Sequence, residues 1–381
     1  MSVYVLLLNG YLLKRLIEET MMEFKILTSF LLSLVFGFLT IPLVMKFCRE
    51  RKLYDIPDFR KRHKQAIPRL GGISFLPCML LSFGLVLVIF SIKYDTYESV
   101  HVWYLYLLFG FLIIYIIGIF DDIIGLSARF KFSVQFFAAC CLPVAGIYIN
   151  NMFGLFGVDA IPDYVGIPLT VFLMLVIINA LNLIDGIDGL SSSLSLIALC
   201  VYLFVYSDFN AWVICVMCAG LAGSLVAFFY FNMFGKPDKG TKIFMGDSGS
   251  LTLGYIISAL FVRYLMLYAE DGDSDYSGVI LIYSALIIPV FDVVRVVLFR
   301  LRKRQPVFGA DRNHIHHRLM DAGLDQRKTL MVIIATAFSF IIVNALLYRL
   351  IGNTTLIVVV DIALYTLLSL GVGRKGINKK F

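Results

Sequence analysis

The chain has 381 residues, of which 60% are AVILMFWYC and 15% are charged, with mean hydropathy +0.88; soluble domains run nearer ~25% charged and ~45–50% apolar. A water-soluble globule is excluded. Thirty-three Lys and Arg against 26 Asp and Glu leave a formal charge of +7, and in a membrane protein the placement of that charge says more than its total.

The chain opens with an eleven-residue, mostly apolar stretch, Val3 to Leu13, ahead of Lys14 and Arg15. It is too short to span and lacks a small-residue cleavage site, so residues 1–25 are expected to form an irregular or interfacial leader, with Met21 or Met22 as alternative starts. Nearly uncharged runs then follow at 26–45, 71–92, 102–120, 132–149, 164–184, 189–207, 211–235, 248–269, 276–299, 329–348 and 354–373. At roughly 20 residues per crossing they predict an all-α polytopic integral membrane protein with about eleven transmembrane helices. A single domain over 26–373 and a basic tail over 374–381 complete the expected organisation. Six of the seven cysteines, Cys78, Cys140, Cys141, Cys200, Cys215 and Cys218, fall in apolar runs, where a thiol is a small packing residue. No disulfide framework is expected, and Cys215 with Cys218 is one turn of helix packing.

Basic residues alternate along the chain. Segment 46–70 carries nine, 121–131 two, 236–242 three, 300–328 eight and 374–380 four, together 26 of the 33. The intervening connections are poor in base: 93–101 has only Lys93, 150–163 has none, and 270–275 reads Glu-Asp-Gly-Asp-Ser-Asp. The positive-inside rule then predicts an amino end outside and cytoplasmic loops at the basic connections.

Carboxylates near a bilayer cost at least ~2.5 kcal/mol at a helix centre, which makes those at span ends functional candidates. Asp121 and Asp122 end the third span, Asp185 and Asp188 follow the fifth, Asp247 precedes the eighth and Asp292 lies low in the ninth. All sit on the predicted cytoplasmic side. Asp121 and Asp122 can point into one polar cleft, where two anions bind a cation or share a proton; a solvated helix end is the bland alternative. Asn179, Asn182 and Asp185 recur at intervals of three, which puts amide and carboxylate oxygens on one stripe of the fifth helix. Such oxygens suit Mg²⁺, which keeps waters and bridges to phosphates, although interhelical amide bonding would also use them. Gly246-Asp247-Ser248-Gly249-Ser250 opens a helix whose N–H groups can approach an anion. In the loop Asp311-Arg312-Asn313-His314-Ile315-His316-His317-Arg318, helical spacing puts His314, His317 and Arg318 on one face, suited to phosphate and base contacts. A zinc site is less compatible, because no cysteine accompanies the histidines and the acids elsewhere want a harder metal. The cluster Arg60-Lys61-Arg62-His63-Lys64, leading into Ile67-Pro68-Arg69-Leu70-Gly71-Gly72, reads as a topogenic charge cluster or as a holder of anionic lipid or nucleotide.

Taken together, Asp121-Asp122, the string from Asn179 to Leu190, Gly246 to Ser250 and His314-Ile-His-His-Arg-Leu319 resemble the polyprenyl-phosphate N-acetylhexosamine-1-phosphate transferase family. The resemblance covers roughly 26–350. The His-Ile-His-His-Arg-Leu form, with Ile-Pro-Arg-Leu-Gly-Gly at 67–72, is similar to the branch that moves GlcNAc-1-phosphate to undecaprenyl phosphate for O-antigen, enterobacterial common antigen or teichoic acid. It departs from the phospho-MurNAc-pentapeptide translocase pattern, in which three consecutive histidines are expected.

The resemblance implies attack of a lipid phosphate oxygen on the sugar phosphate of a UDP-N-acetylhexosamine, releasing UMP. It implies a Mg²⁺ site at Asp247 with Asn182, Mn²⁺ being an alternative ion. Asp121 and Asp122 are then expected on the acceptor side with Asp247 as the catalytic acids, and Lys131 at the lipid phosphate. Asn179, Asp185 and Asp188, with the His314, His316, His317 and Arg318 loop, are expected around the substrates, the loop at the uridine diphosphate end. The implied setting is a bacterial cytoplasmic membrane, with no nucleic-acid partner and with a homodimer allowed. A phosphate monoester has its second pKa near ~6, so the acceptor is already mostly dianionic and direct attack is preferred to a covalent aspartyl-phosphate. The rival class is an ion-coupled secondary transporter, which also combines many spans with acids and glycine breaks. Against it, the acids gather on one face and no inverted repeat is visible.

Overall fold

A computed structural model describes residues 2–55, 66–94, 101–209, 211–272, 275–306 and 313–377. Over 2–18, 91–94 and 373–377, and at Asp55, it describes the backbone course alone. The basic cluster Arg60 to Lys64, the loop residues Asp311 and Arg312 and the last four residues of the tail lie outside the described residues.

The described chain is a helical bundle: α1 Ser2–Arg51, α2 Phe75–Tyr94, α3 Trp103–Ile124, α4 Ala128–Val144, α5 Asp163–Leu183, α6 Leu190–Ser207, α7 Trp212–Phe234, α8 Asp247–Asp271, α9 Ser277–Arg302, α10 Ile315–Asp321, α11 Gln326–Ile351 and α12 Thr354–Ile377. Two short antiparallel ribbons join them, β1 Tyr54–Asp55 with β2 Ile67–Pro68 and β3 Asn151–Leu155 with β4 Val158–Ala160. The expected leader differs. Residues 2–25 are not irregular but continue the first span as one helix from Ser2 to Arg51.

Among the described residues ten helices are long and apolar enough to cross a membrane. The eleventh expected span is represented by α4, whose 17 residues rise only about 25 Å. It still carries the chain from one face of the bundle to the other. Its amino end holds Lys131 beside Asp247, whereas the β3–β4 hairpin that follows it bonds the opposite end of α12, through Thr354 Oγ1 to Phe153 O (3.0 Å) and Phe156 N to Thr355 Oγ1 (2.6 Å). The connection 145–150 completes the crossing that the helix itself leaves short.

The centre of the bundle is α8, which packs on α3, α5, α6 and α9. Helix α8 is mostly enclosed by protein, whereas the described side chains of α1 and α12 mostly face outward. Leu43, Phe109, Leu350 and Leu367 are among the exposed apolar side chains; in a bilayer that surface meets lipid, which removes the need to bury it in protein. All seven cysteines are free thiols.

Two backbone approaches fix the amino end of α8. The segment 67–72 pairs with the chain before α8, through Phe244 N to Pro68 O (2.8 Å), Gly71 N to Phe244 O (2.9 Å) and Gly72 N to Met245 O (2.8 Å). Gly72 then rests directly on Gly249, where a Cβ on Gly72 would lie 2.0 Å from Gly249 Cα and 2.1 Å from its nitrogen. The Ile67 to Gly72 string is thus a prop for the Gly246 to Ser250 turn. Gly72→Ala must push two backbones apart, and overpacking of this kind costs about 1–3 kcal/mol. A lowered melting temperature in detergent, with activity falling alongside it, is the expected result; a variant melting like wild type would contradict the contact.

Candidate active site

The expected acids do converge on one face of the bundle, but adjacent residues take different partners. Lys131, in the first turn of α4, donates from Nζ to Asp121 Oδ2 (3.0 Å) and to Asp247 Oδ2 (2.6 Å). One ammonium therefore joins α3, α4 and α8. Asp247 Oδ1 meets Asn182 Nδ2 at 3.2 Å, and the same amide donates to Ser250 Oγ at 2.9 Å. Asp121 Oδ1 accepts from the N–H of Leu126 at 2.7 Å. These side chains are partly buried, 22% exposed at Lys131, 12% at Asp121 and 26% at Asp247, which leaves room for a ligand to reach them.

Asp122 does not line this cleft with Asp121. Its Oδ1 accepts the N–H of Asp247 and its Oδ2 that of Ser248, each at 2.9 Å, and the side chain is buried. The anion held by the start of α8 is therefore a carboxylate of the protein itself, an N-cap supplied from another helix. Gly118, one turn earlier, makes this possible: a Cβ there would lie 2.6 Å from Ser248 Cα, so only a bare backbone lets α3 press against α8 closely enough.

The fifth-helix stripe divides in the same way. Asn182 reaches Asp247, whereas Asn179 Nδ2 donates to Gln135 Oε1 on α4 (2.7 Å) and to Leu175 O (2.8 Å). Asn179 thus acts as interhelical amide bonding, one turn below the site. Gln135 lies one turn beyond Lys131, so the pair aligns the two helices that carry Lys131 and Asn182. Beyond α5, Asp188 Oδ2 pairs with Lys242 Nζ at 2.7 Å, and Lys242 also donates to Asn232 O at 2.5 Å. Asp185 is partly buried, and its carboxyl is pushed up to about 8 by burial and by the carboxylates of Asp247, Asp188 and Asp122.

The histidines sit above that turn. His316 lies over Gly186, where a Cβ would come within 2.1 Å of its Nε2. Its ring lies parallel to that of His314 (5.9 Å between centroids, 5° between planes) and 4.2 Å from that of His317. His314, the residue before α10, bonds Asp292. Arg318 does not join this row: its guanidinium donates to Ser369 Oγ and, at 2.7 Å, to Ser369 O on α12. Lys242, Gln135, Ser250 and Asp292 are thus neighbours of the site that helix periodicity did not select; of these, Asp292 carried a signal as a carboxylate low in a span and Ser250 as the last residue of the Gly246 to Ser250 string.

No three His, Cys, Asp or Glu side chains form a ready-made metal cage among the described residues. The donor set still fits Mg²⁺, which takes one or two carboxylates and fills the rest with water and phosphate oxygens. Asp247 would supply the carboxylate, and a half-turn of Asn182 would present its amide oxygen.

The glycosyl transferase family 4 model matches residues 104–265, which include Asp121, Lys131, Asn182 and Asp247. The chain is 30% identical over 330 residues to the "Probable undecaprenyl-phosphate N-acetylglucosaminyl 1-phosphate transferase" of Bacillus subtilis (strain 168), covering 85% of each chain. It is 27% identical to the undecaprenyl-phosphate alpha-N-acetylglucosaminyl 1-phosphate transferase of Yersinia pestis, over 83% of this chain and 81% of that one. With the protein of the same name from Escherichia coli (strain K12) it shares 28% identity over 77% and 76%. The carrier reading gains no support from these matches. An all-α membrane bundle whose acids meet at one face, matched along most of its length by such relatives, belongs to the polyprenyl-phosphate N-acetylhexosamine-1-phosphate transferase family.

Proposed function

We propose that the chain transfers N-acetylhexosamine-1-phosphate, as GlcNAc-1-phosphate, from a UDP-sugar to undecaprenyl phosphate, releasing UMP. The observation that carries this reading is the Lys131 ammonium set between Asp121 and Asp247, beside Asn182. An anionic acceptor and an anionic donor need neutralisation and in-line positioning more than covalent help. Lys131 receives the lipid phosphate, and Asp247 with Asn182 would hold Mg²⁺, which supplies charge neutralisation at the phosphates when bound. The row of His314, His316 and His317 faces the nucleotide end. Asp121 orients Lys131 and the acceptor. Direct attack is favoured because the acceptor phosphate is already mostly dianionic, while Asp122 is buried against the start of α8 and Asp121 is held by Leu126 and Lys131.

The positive-inside distribution supports placing the acid face in the cytoplasm of a bacterium and the β3–β4 hairpin outside. In a cysteine-free background, a cysteine at 155 should react with an impermeant reagent in sealed cells and one at 240 should not. Labelling at 240 would reverse the orientation. The reaction itself is tested with purified protein, UDP-GlcNAc and undecaprenyl phosphate. UMP release should require the lipid and a divalent cation, and turnover that survives EDTA in full would remove the metal from the account.

A further inference from the structure

Resting on that reading of the donor side, we infer that Asp292 is a positioning residue that acts through His314 and the amino end of α10. Asp292 lies on α9, and its carboxylate is fully enclosed. Oδ2 meets His314 Nδ1 at 2.8 Å. Oδ1 accepts the N–H of Ile315 at 3.0 Å, Arg295 Nη2 at 2.8 Å and the hydroxyl of Tyr365 at 3.3 Å. Three neighbours donate to Oδ1, and the Arg295 guanidinium among them favours the ionised carboxylate, whose Oδ2 can then only accept. The proton of the shared contact therefore belongs to His314 Nδ1. That turns Nε2 away from Asp292, where it accepts from a base N–H as the neutral ring or donates to a phosphate as the imidazolium.

The same carboxylate supplies what α10 lacks in its own sequence. The helix has no capping side chain of its own, and the N–H of its first residue is taken by Asp292. His314 is 5% exposed and parallel to His316, which lies on Gly186 next to Asp185. A displacement of His314 therefore has a packed route to the Asp185–Gly186 turn. Arg295 closes the other side by donating to Asn313 O. Asp292 thus does for the histidine row what Asp122 does for Asp247: a buried carboxylate from one helix caps another and aims the residue beside the cap.

The test is steady-state kinetics on the full-length Asp292→Asn protein with each substrate varied in turn, together with melting in detergent. Loss of a charge-assisted bond predicts a donor KM raised about tenfold or more, with the acceptor KM within about twofold and melting close to wild type. A donor KM that does not move overturns the inference. So does a fall in kcat and both affinities in step with lowered melting, since that is a general packing role. If Asp292→Asn does not fold, Asp292→Glu replaces it, with the same split expected. A second readout does not depend on the reaction: ¹⁵N-histidine NMR should show a strongly hydrogen-bonded Nδ1 proton in wild type, assigned by its loss in His314→Gln and absent from Asp292→Asn. Absence of that proton in wild type would overturn the inference even if transfer is confirmed, whereas its presence with no transfer from UDP-GlcNAc would refute only the proposed function.

Discussion

Replacing Asp247 with Asn is expected to lower transfer by about two to three orders of magnitude, the scale seen when a preorganised electrostatic contact to developing charge is removed, while the bundle stays folded. The side chain and the backbone of this residue do separate work. Its N–H anchors α8 to Asp122, and Asn keeps that N–H. Its carboxylate holds Lys131 at 2.6 Å and meets the Asn182 amide at 3.2 Å. Asn removes the charge from a site that would offer Mg²⁺ few protein ligands, so the loss of metal affinity cannot be shared among others. Activity against Mg²⁺ concentration, with melting in parallel, checks both halves. Activity near wild type, or a variant that no longer folds, would contradict the division.

The second large effect separates two neighbours in sequence. Asp122→Ala strands the buried N–H groups of Asp247 and Ser248, at about 1–3 kcal/mol for each unsatisfied group. It should melt well below wild type and lose activity, because α8 no longer starts in a fixed place. Asp121→Ala instead releases the N–H of Leu126 and one side of Lys131 near a partly exposed edge. Water can solvate both, so melting should change little while turnover falls. If the two variants melt alike, the assignment of cap and site residue is wrong.

The division between Asp121 and Asp122 marks where sequence reading stops. Adjacency shows that two carboxylates leave a helix in different directions, and span ends place them on the acid face. Which one meets a lysine ten residues on and which meets two amides from α8 depends on the tertiary approach that Gly118 permits. Asn179 shows the same limit, since the three-residue stripe was visible and its partner Gln135, on another helix, was not. The spans are legible because a bilayer imposes one length on every crossing; α4 stops short of the expected 132–149 because the apolar residues past Val144 form a turn and an extended segment. Arg318 has the composition of a diphosphate ligand, but its contact with Ser369 is set by the docking of α12, which no local pattern encodes.

In the proposed reaction the phosphate travels with the sugar. UDP-GlcNAc labelled with ³²P at the β-phosphate, incubated with the purified protein, Mg²⁺ and undecaprenyl phosphate, tests it directly. Label in the lipid fraction, matched mole for mole by unlabelled UMP, is the result predicted by Lys131 and Asp247 acting on two phosphates. Label left in the aqueous phase as UDP, with sugar alone on the lipid, would contradict it.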